Sequence, residues 1–356
     1  MTIAPATRHH APQPVPEADG PPPVARREAR AMGSPLRLQV AGETPASTVD
    51  AVWAAVLDEF EAVEDVLSRF RATSEIHLLR TVGGHATEPS RRLVAALTAA
   101  DRARRVTEGR FDPRVLHDLE RLGSRPIELP SAVETGPTAS ARPDPAAPIL
   151  RRAGRRGLVE VPSPVDFGGI GKGLALRWAA RRAAAGLGDR PFLLEAGGDI
   201  VGHGAPASHG WRVGIEDPRP AAASGARAAG AAEASPALAS EAGPVVVAEL
   251  PLAGGAVATS SIRLAHWRAP NGRLVHHLID PRTGEPGGEG LLAVTVAGPD
   301  PAWAEVWSKG LFLEGRARIA GLARARGLAA WWVTVDGEVE MTPAARLRTI
   351  WVGDEA

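Results

Sequence analysis

The chain of 356 residues contains no cysteine. That excludes disulfides, thiolate metal sites and a cysteine nucleophile, without fixing the compartment. Lysine is nearly as scarce. Lys172 and Lys309 are the only two, and every other basic residue counted with them is arginine. Neither sign of charge is in excess, with 41 basic against 41 acidic residues. This balance argues against a nucleic-acid or anionic-membrane binder. No apolar run is long enough to span a bilayer, and residues 1–30 carry no apolar signal-peptide core. The expected location is the cytoplasm, with no membrane insertion.

What is present fits a globular protein. An apolar fraction of 44% can fill a core. Residues 1–30 are expected as a disordered tail. Residues 31–356 are expected as one domain, interrupted by low-complexity insertions near 124–156 and 220–244. Residues 36–40 read as a strand. Val52, Val56, Phe60, Val63 and Leu67 then recur at helical spacing from about Thr48. A second helix is expected over 90–106. Later come short β-like runs at 245–250, 257–258, 274–279, 291–297 and 330–335, with helices over 302–313 and 316–326. Strands and helices in blocks favour an α+β fold.

Four segments could carry chemistry. In His276-His277-Leu278-Ile279-Asp280-Pro281-Arg282-Thr283-Gly284 the run 276–279 reads as the end of a strand, and Pro281 and Gly284 make a turn. His277 is the candidate base. Asp280 lies three residues on, which in a regular strand means the opposite face, so only the Asp-Pro bend can bring the carboxylate round to orient the imidazole. Asp166-Phe167-Gly168-Gly169-Ile170-Gly171-Lys172-Gly173 runs into an Ala/Leu/Arg-rich helix. It offers free N–H groups and one ammonium to an anion, or is simply a glycine turn. It is not a Walker A loop, because Gly173 follows the lysine. Gly197-Gly198-Asp199 ends an apolar run and reads either as a tight turn or as a site. Thr259-Ser260 could bond a phosphate or cap a turn.

Taken in order, Met32-Gly33-Ser34, Gly109-Arg110-Phe111-Asp112-Pro113, Asp166 to Gly173, Gly197-Gly198-Asp199, Thr259-Ser260 and an HxIDPxTGxP pattern over 277–286 resemble the FAD:protein FMN transferases, the ApbE-like family. The resemblance covers roughly residues 31 to 315. It implies an α+β, T-fold-like flavin-transferase fold with mixed or antiparallel sheets flanked by helices. It also implies FAD as substrate, magnesium, and transfer of FMN to a Thr or Ser of an acceptor protein with release of AMP. The alternatives are an FAD pyrophosphatase giving FMN and AMP, or a catalytically decayed FAD-binding protein.

Carried over by position, Met32, Arg110, Phe111, Asp112, Asp166, Lys172, Gly197, Gly198, Asp199, Thr259 and Ser260 match cofactor-binding positions. Phe70 stands where the family often has a tyrosine, keeping the ring and losing the hydroxyl. His277 matches the histidine beside the reacting phosphates, with Asp280 as its catalytic companion. Gly169 matches a residue whose carbonyl contacts the metal.

One departure stands out. The family's metal-binding aspartate and threonine, four residues apart, are here Glu305 and Lys309. Glutamate can still bind magnesium, but a charged lysine has donors only. Residues four apart share a helix face, so Glu305 and Lys309 can form an ion pair. The expectation is that Lys309 places an ammonium where the metal, or part of its charge, would sit.

Overall fold

The computed structural model describes residues 23–86, 88–124, 143–153, 158–206, 210–219, 245–263 and 265–352. The expected insertion at 220–244 and most of the expected loop at 124–156 lie outside the described residues, as do residues 1–22.

Eight strands form one sheet. They are β1 (Val24–Ala31), β2 (Ser34–Ala41), β3 (Phe192–Ala196), β4 (Asp199–His203), β5 (Gly254–Ser261), β6 (Leu291–Gly298), β7 (Ala329–Thr334) and β8 (Val339–Met341). Their spatial order is their order along the chain, and each pairs antiparallel with the next. Of the two sheet types expected, the structure has one: every pairing among the described residues is antiparallel. Five helices matter for the site: α1 (Ala46–Leu67), α2 (Arg91–Val106), α3 (Gly171–Leu187), α4 (Pro301–Phe312) and α5 (Arg316–Ala325).

The expected tail boundary at residue 30 falls inside the β1–β2 hairpin. The sequence VARREARA of β1 is polar enough to read as tail, yet it pairs residue for residue with β2. The expected loop at 124–156 likewise contains a strand at its end, Arg151–Ala153.

Alternation along the strands sorts side chains to two faces. Leu36, Leu38 and Val40 of β2, with Phe192, Leu194, Ala256 and Ala258, bury against α1 and α3. Leu193, Val257, Ala297, Trp331 and Val333 turn the other way. They pack on a smaller sheet that includes Trp211–Glu216 and Val246–Leu252. Under α4 and α5 the helical face continues through Val294, Val296, Leu311, Phe312 and Trp332.

Ser90 caps α2, accepting from the Leu93 amide at 3.0 Å, and Asp300 caps α4, accepting from the Trp303 amide at 3.1 Å. The start of α3 has no side-chain cap of its own, and that deficiency positions the site.

Candidate active site

Two tight turns and one helix start meet at one end of the sheet. The β1–β2 turn has Met32 and Gly33 at φ 49° and 72°, and the β3–β4 turn has Gly197 and Gly198 at 58° and 89°. Both are two-residue hairpins with both central residues left-handed, as the strand twist prefers. The turns touch. The Gly197 amide donates to the Pro35 carbonyl at 2.9 Å, and a Cβ on Gly197 would lie 2.7 Å from Ser34 Oγ. Met32 Cε reaches within 3.6 Å of where a Cβ on Gly171 would stand, so this turn also packs on the α3 start.

Lys172, on the first turn of α3, forms an ion pair with Asp199, which β4 carries directly after the glycine turn. Asp199 is 1% exposed and also accepts from the Thr259 amide at 3.1 Å. Burial opposes the Lys172 charge, but Asp199 and then Glu305 outweigh it and raise its pKa.

Glu305 is buried on α4 and accepts from the Gly173 amide at 2.8 Å through Oε2. It thus serves as the missing cap of α3, a carboxylate at a helix N-terminus. Its other oxygen, Oε1, is buried without a partner. Burial pushes the Glu305 pKa up to about 7, Lys172 opposing and Asp199 adding to the rise.

Lys309 follows one turn later. Its Nζ lies 3.4 Å from the Gly168 carbonyl, and its stem runs over Gly169. The expected ion pair with Glu305 does not form. The two charges interact, but Glu305 is aimed at α3 and Lys309 at the glycine loop. Burial lowers the Lys309 pKa.

The expected strand through residue 279 breaks at His277. Leu274–His276 pairs with His266–Arg268, while Ile279–Asp280 pairs separately with Glu285–Pro286. At the break, His277 Nδ1 lies 3.2 Å from the Ala265 carbonyl. A carbonyl only accepts, so Nδ1 carries the proton and Nε2 keeps its lone pair. Burial, then the Lys309 ammonium, push the His277 pKa down to about 3.

Asp280 does not orient His277, contrary to expectation. It accepts instead from the Arg282 amide at 2.9 Å and grips the Arg282 guanidinium at 2.9 Å through each oxygen. A bond to the residue two positions on closes locally, as aspartates in turns favour. The turn itself is as expected: Gly284, at φ 70°, donates to the Asp280 carbonyl at 2.7 Å.

Around this centre the remaining candidates divide. Asp166 accepts from the Gly168 amide at 3.0 Å and lies 3.5 Å from Arg69, whose guanidinium covers the half-exposed Phe70 ring at 4.3 Å. Phe111 is buried, its ring edge 2.8 Å from where a Cβ on Gly169 would stand. Asp112 is spent on Arg114.

Thr259 and Ser260 do not act as a pair. Strand alternation sends Ser260 toward α4, where it bonds Ser308 at 2.9 Å, and Thr259 to the opposite face, where it bonds Thr295 at 2.9 Å. Glu314 was not singled out by the sequence. It is 3% exposed at its side chain and gathers Arg110, Arg282 and Arg318. Its only local signal is that it directly precedes Gly315, at the end of the family-like segment.

Among the described residues, no helix is long and apolar enough to cross a membrane, and no group of three or more His, Cys, Asp or Glu could hold a metal ion.

Comparison with known proteins gives the family and the fold. An FAD:protein FMN transferase of Klebsiella pneumoniae (strain 342) is 26% identical over 343 residues, covering 92% of this chain and 89% of that protein. One of Salmonella typhimurium is 26% identical, covering 87% of this chain and 84% of its own. The fold is that of the ApbE protein of Thermotoga maritima, with a TM-score of 0.74, 23% identity, and 92% and 99% of the two chains covered. It is also that of the flavinyl transferase ApbE of Pseudomonas stutzeri in its apo form, at a TM-score of 0.70, 24% identity, and coverage of 92% and 97%. The ApbE family profile matches residues 32–332, from the first glycine turn to the penultimate strand of the sheet, and the chain belongs to that family.

Proposed function

We propose that this chain is an FAD:protein FMN transferase, moving FMN from FAD to a Thr or Ser hydroxyl of an acceptor protein and releasing AMP. The observation that carries the reading is one cluster. The α3 start, Lys172, Lys309 and the free Nε2 of His277 lie close enough for both ammonium charges to depress the imidazole pKa. Helix N–H groups and ammonium groups bind phosphate oxygens.

In the reaction the acceptor oxygen forms a bond to the FMN-side phosphorus while the bond from that phosphorus to the AMP oxygen breaks. His277 Nε2 accepts the hydroxyl proton, and AMP leaves as its phosphate. In the free protein His277 is neutral but a weak base. A bound pyrophosphate adds negative charge beside it, offsets the two ammonium groups, and raises its pKa toward a useful value. Asp280 is a positioning residue, since it holds Arg282 rather than the imidazole. Arg282 and Arg110 are both anchored by Glu314.

The resemblance implies magnesium, but the oxygen donors here do not fit it. Glu305 offers one uncommitted oxygen and Lys309 offers none.

The test is incubation with FAD, with and without a flavin-acceptor domain, following AMP release and acceptor mass. AMP that appears only with acceptor, with a matching FMN mass gain, is the expected result. AMP without acceptor would make the chain a pyrophosphatase, and intact bound FAD would make it a binding protein.

A further inference from the structure

Magnesium takes a near-octahedral set of oxygens at about 2.0–2.1 Å. Around Lys309 that set is not available. Glu305 is the carboxylate on its helix face, and Oε2 is already used by the Gly173 amide at 2.8 Å. Asp199 is engaged by Lys172 and by the Thr259 amide. The Gly168 carbonyl lies 3.4 Å from the Lys309 ammonium. The Lys309 ammonium already stands beside that carbonyl oxygen.

The ammonium is held there by packing. A Cβ on Gly169 would lie 3.0 Å from Lys309 Cδ and 3.2 Å from Cε, so the stem rests directly on the glycine backbone. The Gly168 carbonyl takes one of its three N–H donors. The other two are left for a ligand, because among the described residues Nζ has no bonded partner besides that carbonyl.

Composition adds an independent point. The chain uses arginine for its basic groups almost throughout, yet both of its lysines stand at this site. A guanidinium is a wide planar fork, whereas an ammonium is a compact point charge. Only the compact charge resembles an ion in shape. Lys172 forms an ion pair with Asp199; Lys309 forms none among the described residues.

We propose that the Lys309 ammonium replaces the divalent cation in this chain, so that the FAD pyrophosphate is held, and its charge offset, without magnesium. The proposal rests on the transferase reading for the identity of the ligand, not for the behaviour of the cation. The buried Oε1 of Glu305 has no hydrogen-bond partner, and the Lys309 ammonium is among the charges that act on this carboxylate.

The experiment measures FAD binding by flavin fluorescence, and protein-bound Mn²⁺ by electron paramagnetic resonance with FAD present. The unsubstituted protein, Lys309→Thr and Lys309→Met are compared in EDTA and in excess magnesium. For the unsubstituted protein, FAD affinity is expected to agree within about twofold between the two conditions, with no bound Mn²⁺. Lys309→Thr should weaken FAD binding in EDTA by about tenfold to a hundredfold, the worth of one charge-assisted hydrogen bond. It should regain affinity with magnesium and bind Mn²⁺, because threonine supplies an oxygen. Lys309→Met should lose affinity without that recovery.

Release of FAD by EDTA from the unsubstituted protein, or Mn²⁺ bound to its FAD complex, would overturn the proposal. FAD retained in EDTA with no transfer to acceptor would sink the transferase reading and leave the ammonium proposal standing. No FAD binding under either condition would sink both.

Discussion

The carboxylate of Glu305 accepts a hydrogen bond from the Gly173 amide at 2.8 Å, so a side chain of α4 caps the uncapped start of α3. The bond depends on close approach of the two helices. A Cβ on Gly173 would stand 2.5 Å from Ala302 Cα and 2.7 Å from the Pro301 carbonyl oxygen. Gly173→Ala is therefore expected to push the helices apart, costing about 1–3 kcal/mol as overpacking does, and to break the cap as well. Thermal unfolding reads the first effect and FAD affinity the second. A variant with unchanged melting temperature would show that the helices yield freely.

Glu305 also makes stability depend on pH. Its pKa rises from the ordinary 4.5 to about 7 on folding, burial being the largest cause. Between those values the folded protein holds more protons at this site than the unfolded chain, so the site's contribution to stability falls as pH rises through the window. Glu305→Gln keeps an oxygen for the Gly173 amide and removes the titration. Its melting temperature, relative to the unsubstituted protein, should rise steadily from about pH 4.5 to about pH 7. A difference that stays constant across the window would contradict this assignment.

Much of the frame was legible locally, and the site's connections were not. Helical spacing located α1, and the tight turn, one of the two readings open for Gly197-Gly198, is there because left-handed backbone needs glycine. The Arg-rich strand β1 was missed because an edge strand with both faces partly exposed has no apolar alternation to find. The Glu305–Gly173 bond joins residues 132 positions apart, and no spacing rule reaches that far. One motif holds both Asp280 and His277, but a shorter loop to Arg282 wins the carboxylate in the folded chain. The motif places His277 and Asp280 close in sequence, but in the folded chain their side chains take different partners, the Ala265 carbonyl and Arg282.

Met32 is one of two non-glycine residues with positive φ among the described residues, at 49°. That backbone costs an L-residue with a long side chain about 1–2 kcal/mol. Its side chain reaches the start of α3, where it packs near Gly171. Met32→Gly should relieve the strain and raise the melting temperature, while removing a wall of the site and weakening FAD binding. Stability and affinity moving in the same direction would mean that Met32 is a plain turn residue.

His277 provides the most direct separation of chemistry from structure. Its Nδ1–H faces the Ala265 carbonyl at 3.2 Å, and an asparagine amide can donate along the same line. His277→Asn thus keeps that contact and removes Nε2. Transfer to an acceptor should fall by about 10²–10⁴-fold, the usual worth of a positioned proton acceptor, with FAD affinity little changed. Stability supplies an independent readout. Folding depresses the His277 pKa from the ordinary 6.5 to about 3, burial first and Lys309 second. The folded protein therefore binds fewer protons here than the unfolded chain, and the site's stability is present above pH 6.5 and lost as pH falls through the window. The asparagine variant escapes that loss, so its melting temperature relative to the unsubstituted protein should climb as the solution is acidified below about pH 6.5. Retained transfer would remove His277 from the chemistry. Transfer and FAD affinity lost in equal measure would recast it as a ligand contact that moves no proton.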